Sequence, residues 1–181
     1  MTASDRRPDW RKLLESRPVA ASAPCRVDMG GTLDIRTFSY PLRQLRPCTL
    51  NIAIDLRTTV SLAPYTRGRV KVSSRGFRAA EFGAGEAPFR HPLGLMFAVA
   101  AFFGADGVHI RIRSESPPRS ALGGSSVAAA ALVGAFRELL RRPDDRRSAG
   151  RRPTALIAHV IEESVAGVPC GADWASPKAR R

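Results

Sequence analysis

Hydrophobic and polar positions alternate most cleanly over residues 48–62, CTLNIAIDLRTTVSL. Leu50, Ile52, Ile54 and Leu56 fall on one side there, and Asn51, Asp55 and Arg57 on the other. A period of two predicts a half-buried strand with the apolar set inward. Val108–Ser114 (VHIRIRS) alternates in the same way, with Val108, Ile110 and Ile112 as the expected inward residues. Small and branched residues from Val19 to Met29 predict a first strand, closed by a turn at Gly30 and Gly31. Pro64 and Gly68 bracket a further turn, and Arg69–Ser74 with Phe77–Phe82 read as a hairpin. Pro92–Phe103 is apolar nearly all round, the pattern of a buried helix opened by proline and stopped by Gly104. Ser126–Leu140 is rich in alanine, the strongest helix former, and Thr154–Ala166 predicts a last helix stopped at Gly167. Residues 1–17 are polar and proline-punctuated, which suggests a loosely held lead-in or a short helix. Strands come first, then helices interleaved with one more strand, so the pattern predicts an α+β layer structure.

Composition narrows the function classes. At 181 residues and 44% hydrophobic, the chain has room for one substantial core. No uninterrupted apolar run is long enough to span a membrane, and Asp5, Arg6, Arg7, Arg11 and Lys12 stand where a signal peptide needs an apolar centre, so a cytoplasmic location without membrane is expected. Cys25, Cys48 and Cys170 lack the paired spacing of a metal site or disulfide framework, and reduced thiols are expected. Lys plus Arg is 29 against 16 for Asp plus Glu, a formal charge of +13 that attracts polyanions. Two stretches concentrate the excess, the start of the chain and Arg141–Arg152. Trp10 is the lone aromatic residue in these runs, short of a stacking platform, so a nucleic-acid partner is not expected.

Residues 116–130, SPPRSALGGSSVAAA, carry the most chemical information. A strand ends, a glycine and serine turn follows, and a helix begins, which leaves backbone N–H groups unpaired at the positive end of the helix dipole. An anion fits there. Gly123 and Gly124 let the main chain approach a phosphate closely, and the hydroxyls of Ser125 and Ser126 can reach phosphate oxygens or a magnesium ion. No Gly-Lys-Ser/Thr follows, so this is not a Walker loop. An ordinary serine-capped helix after a flexible turn would show the same run.

The PPRSALGGSSVAAA segment resembles the phosphate-binding signature of the GHMP kinases, the family of galactokinase, homoserine kinase, mevalonate kinase and phosphomevalonate kinase. In that signature a proline leads into Gly-Leu-Gly-Ser-Ser-Ala. Pro118, Leu122, Gly123, Ser125 and Ser126 stand in matching places, while Ala121 replaces the first glycine; Ser120 and Gly124 complete the nucleotide-binding run that the resemblance implies. SAPCRVDMGGTLD resembles the family's first motif through Ala23, Pro24, Arg26, Val27 and Gly31, with Cys25 in place of glycine. The resemblance gives Arg26 a catalytic place near the transferring phosphoryl group and Asp34 a place on sugar hydroxyls. In IEESVAGVPCGAD, the carboxylates at 162 and 173 and the intervening Gly167, Pro169 and Gly171 are similar to a pair in mevalonate-kinase-like members. By resemblance, Glu162 would hold magnesium together with Ser126, and Asp173 would accept or orient the proton of the substrate hydroxyl.

The resemblance implies a fold similar to the second domain of ribosomal protein S5 over residues 19–173, after a polar lead-in of residues 1–18. Residues 174–181 are read as a short basic tail, with a carboxy-terminal domain expected to be absent. It also implies ATP and Mg2+ as cofactors and phosphoryl transfer to a hydroxyl of a small-molecule substrate, a sugar or sugar phosphate. The alternative on the same fold is a non-catalytic nucleotide- or nucleic-acid-binding module. Neither residues nor resemblance name the acceptor or the oligomeric state.

Overall fold

The computed structural model describes residues 8–31, 44, 49–88, 90–117, 120, 122–141 and 151–166. The elements run in the order α1 (Trp10–Ser16), β1 (Val19–Gly31), β2 (Thr49–Pro64), β3 (Arg69–Ser74), β4 (Ala80–Gly83), α2 (Gly94–Phe102), β5 (Val108–Ser114), α3 (Gly124–Leu140) and α4 (Arg151–Ala166). The strands form one sheet in the order β1-β2-β5-β3-β4. All neighbours are antiparallel except β3 and β5, which run parallel, and β4 and α2 supply the crossover that such a pair requires.

Alternation decides which face is covered. Thr58, Val60 and Leu62 of β2, Val70 and Val72 of β3, and Val108, Ile110 and Ile112 of β5 are buried. Their odd-numbered neighbours are half-buried or exposed. The buried face packs under the helices: α3 lies on β1 and β2, α2 on β3, and α4 on α2 and α3. Phe136 of α3 is the hub of this core, edge-on to Trp10 at 5.5 Å and stacked on Phe103 at 4.9 Å. Thr58 is the buried polar residue of the described core, and its Oγ1 is satisfied by Ser114 Oγ at 3.0 Å.

Several expected boundaries shift, each for a local reason. The lead-in is anchored: α1 sinks Trp10 and Leu14 into the core, and the indole N–H donates to the Gly104 carbonyl at 2.9 Å. Gly30 and Gly31 do not turn the chain but continue β1, opposite Leu50 and Thr49. The apolar set at the start of β2 is not inward, since Leu50 is 65% and Ile52 53% exposed. β5 pairs with β2 only from Thr58 onward, so this end of the β1–β2 ribbon projects past the rest of the sheet. The second strand of the hairpin forms only at Ala80–Gly83, leaving Phe77 half exposed. Pro92 stands in the turn before α2 rather than in the helix. Cys25 is buried and unbridged, as a reduced thiol should be; Cys48 and Cys170 lie outside the described residues.

Candidate phosphate-binding site

The end of β5 is tied down before the glycine and serine run starts. Ser114 Oγ bonds to Thr58 Oγ1 and, at 2.9 Å, to Ser116 Oγ. The chain then passes Ser120 and Leu122 and enters α3 through Gly123, which has φ 71° and ψ 24°. That left-handed conformation favours glycine, because any side chain there is strained. No side chain caps the helix, and its first bond runs from the Val127 N–H to the Gly123 carbonyl at 2.9 Å. The amides of Gly124, Ser125 and Ser126 therefore have no partner within the helix and lie at its positive end. A Cβ built on Gly124 would meet nothing within 4 Å, so the main chain is open to close approach.

Two other elements converge on this turn. β1 brings Arg26, whose N–H donates to the Leu122 carbonyl at 3.4 Å. Its side chain lies against Gly123, where an added Cβ would come within 3.7 Å of Arg26 Cγ and 3.8 Å of Cζ. α4 brings Glu162. The helices α3 and α4 pack antiparallel, with Arg137 Nη1 donating to Thr154 Oγ1 at 2.8 Å near one end and Ser126 Oγ donating to Glu162 Oε1 at 2.6 Å near the other. The hydroxyl and carboxylate, 36 positions apart in the chain, are thus in direct contact and partly buried.

Such an oxygen pair suits a hard divalent cation. Magnesium is commonly held by one or two carboxylates plus substrate phosphates and water, without an all-protein cage. No group of three or more His, Cys, Asp or Glu positioned for a metal occurs among the described residues. The donors present therefore fit magnesium with phosphate oxygens as its further ligands.

A cleft of about 530 Å³ opens beside the turn, between the end of β3 and the end of β5. Arg75, Phe77, Glu115, Ser116, Ser120 and Gly124 are among its walls. Reading Phe77 as part of a hairpin strand hid this wall; Gly76 immediately before it was the available signal of a turn. A cavity of about 580 Å³ lies near the opposite end of β5, by Trp10, Tyr65 and Asp106, and holds none of the expected site residues. Of those residues, Arg26, Ser120, Leu122, Gly123, Gly124, Ser125, Ser126 and Glu162 gather in one region. Asp34, Pro118, Ala121 and Asp173 lie outside the described residues.

Residues 92–176 match the family model of the GHMP kinases N terminal domain. A D-glycero-D-manno-heptose 1-phosphate kinase from Bacteriodes thetaiotaomicron matches with TM-score 0.64 at 20% identity, over 86% of this chain and 51% of that one. Lactococcus lactis galactokinase complexed with galactose gives 0.61 at 16%, over 90% and 43%. Methanococcus jannaschii mevalonate kinase gives 0.60 at 13%, over 83% and 48%. At such identities the likeness establishes the fold, and the chain spans about half the length of these structures. No curated protein matches the chain.

Proposed function

Given that this chain carries the GHMP kinase N-terminal domain on the α+β fold of that family, we propose that it binds ATP and serves transfer of the γ-phosphoryl group to a hydroxyl of a sugar or sugar phosphate. The 2.6 Å contact of Ser126 with Glu162 at the mouth of the glycine turn carries this reading. The amides of Gly124–Ser126 bind the phosphates, aided by the helix dipole and by the absence of a Cβ at Gly123 and Gly124. Ser126 and Glu162 hold magnesium, which when bound neutralises charge on the phosphoryl oxygens. Arg26, held to the turn through its own N–H, offsets negative charge that develops during transfer. Asp173 takes or orients the acceptor proton, and Asp34 binds acceptor hydroxyls. The cleft walled by Arg75 and Phe77 takes the nucleoside, with the ring as a stacking surface.

Sugar and sugar-phosphate acceptors are favoured by the named activities of two of the matched structures, a heptose 1-phosphate kinase and a galactokinase. The test is ADP release by the full chain with ATP, magnesium and a panel of hexoses, heptose and hexose 1-phosphates, and mevalonate. ADP formation that depends on a sugar-type acceptor and is lost in Asp173→Asn is expected. ADP formation indifferent to every acceptor, or unchanged in Asp173→Asn, would contradict the assignment.

A further inference from the structure

The helices of the described residues lie on one side of the sheet, so the odd-numbered residues of β2, β3 and β5 face outward together. Register places them in rows. Ala20, Ser61, Arg111 and Ser73 lie side by side across four strands; Ser22, Thr59 and Arg113 form the next row, and Ala63, His109, Lys71 and Glu81 the one on the other side. The β1–β2 half of this face is therefore a low floor of small residues. Along it runs a wall of Arg111, Arg113 and Lys71, to which Arg57 adds charge, while Arg69 at the margin is paired with Glu81.

We infer that this sheet face, which no element among the described residues covers, binds single-stranded nucleic acid, with the Arg111–Arg113 wall tracking the phosphates. No carboxylate among the described residues forms an ion pair with Arg57, Lys71, Arg111 or Arg113. Two carboxylates stand at the margin: Glu81, opposite Lys71, accepts from the Tyr65 hydroxyl and pairs with Arg69, and Glu115 accepts from the Arg57 N–H. A solvated face ordinarily mixes both signs; here like charges stand two residues apart on one strand, about 7 Å by strand geometry. The positive field is felt locally, since burial first and then Arg111 and Lys71 hold the His109 imidazole below its ordinary pKa.

The composition of the face selects the partner. The exposed large apolar side chains, such as Met29, Leu50, Leu156 and Val160, are not among its rows, so it offers no purchase for acyl chains or for the apolar centre of a protein interface. Tyr65 and His109 do supply rings, 5.8 Å apart, with Lys71 over the tyrosine. Rings beside a basic track are what an unpaired strand uses, whereas the β1–β2 end that projects past the sheet, the shape a duplex groove would take, lies off these rows. The Ser73–His109 contact of 2.9 Å is not a catalytic dyad. Arg111 Nε donates to His109 Nδ1, which leaves the proton on Nε2 to be donated to Ser73, so the imidazole cannot take the serine proton.

The test is fluorescence anisotropy with a fluorescein-labelled uridine 15-mer, titrated with the full chain at several salt concentrations. Arg111→Gln with Arg113→Gln should weaken binding at least about tenfold at moderate salt and reduce the log–log salt slope by about 1.4, the share of two phosphate contacts on a single strand. Arg11→Gln with Lys12→Gln, an equal charge loss on α1, should change affinity less than twofold. Absence of binding at low salt, equal weakening by both double variants, or equally tight binding of inorganic polyphosphate of matched charge would overturn the assignment.

Discussion

At Gly123 the backbone itself carries part of the function. Its φ of 71° strains any side chain there, although an added Cβ would meet Arg26 only at ordinary contact distance. Gly123→Ala should cost about 1–2 kcal/mol in conformational strain, read as a drop of a few degrees in the unfolding midpoint. It should also lower ATP affinity, measured by calorimetry, roughly tenfold or more, a loss of about 1.4 kcal/mol or above. A second residue-scale expectation concerns pH. His109 in the folded chain lies below the ordinary imidazole pKa, mainly through burial. The unfolded chain thus binds the proton more readily, so the neutral imidazole contributes stability above the ordinary value that is lost as pH falls through it. Denaturant midpoints should fall from pH 7.5 to 5.5 in the wild type and fall less in His109→Gln. Glycine pairs and serines were legible as residue types suited to a phosphate, whereas the places of Arg26 and Glu162 came from the family resemblance. The resemblance also set Ser126 and Glu162 on one cation, a contact that the residues alone did not reveal because helix packing creates it across 36 positions.

Among the elements, local patterning identified the cores of β1–β5 and of α2–α4, and tertiary coverage decided what the patterns meant. β2 alternates from Leu50 to Leu62, yet only its second half has helices over it and β5 beside it. Leu62→Ala should therefore cost about 2–5 kcal/mol, whereas Ile52→Ala should stay within about 0.5 kcal/mol; urea unfolding of the two variants checks the contrast. α1 was hardest to read, because a short polar stretch with one tryptophan carries no helical period. Its Trp10 nonetheless bridges Gly104 and Phe136, so Trp10→Ala should destabilise by about 3–5 kcal/mol. The arginines of the open sheet face were invisible for the opposite reason. They sit singly at 57, 69, 111 and 113 in the sequence and assemble only through strand register.

For the whole molecule, three separated segments meet at one point: β1 at Arg26, the turn into α3, and α4 at Glu162. The fold makes this possible because α3 rests on β1 while α4 packs antiparallel on α3. Neither contact involves the basic sheet face, so phosphate binding at the turn and strand binding on the sheet should respond to different variants. The central claim is that the turn binds a nucleotide's phosphates and that Glu162 and Ser126 share a cation with them. Calorimetric titration of the full chain with ATP, with and without magnesium, tests it most directly when paired with Glu162→Gln, which keeps an oxygen for the Ser126 hydroxyl but removes the charge. Magnesium should tighten wild-type binding by roughly tenfold, about 1.4 kcal/mol, and should scarcely affect Glu162→Gln. Undetectable ATP binding, or an equal magnesium effect in wild type and variant, would contradict the claim.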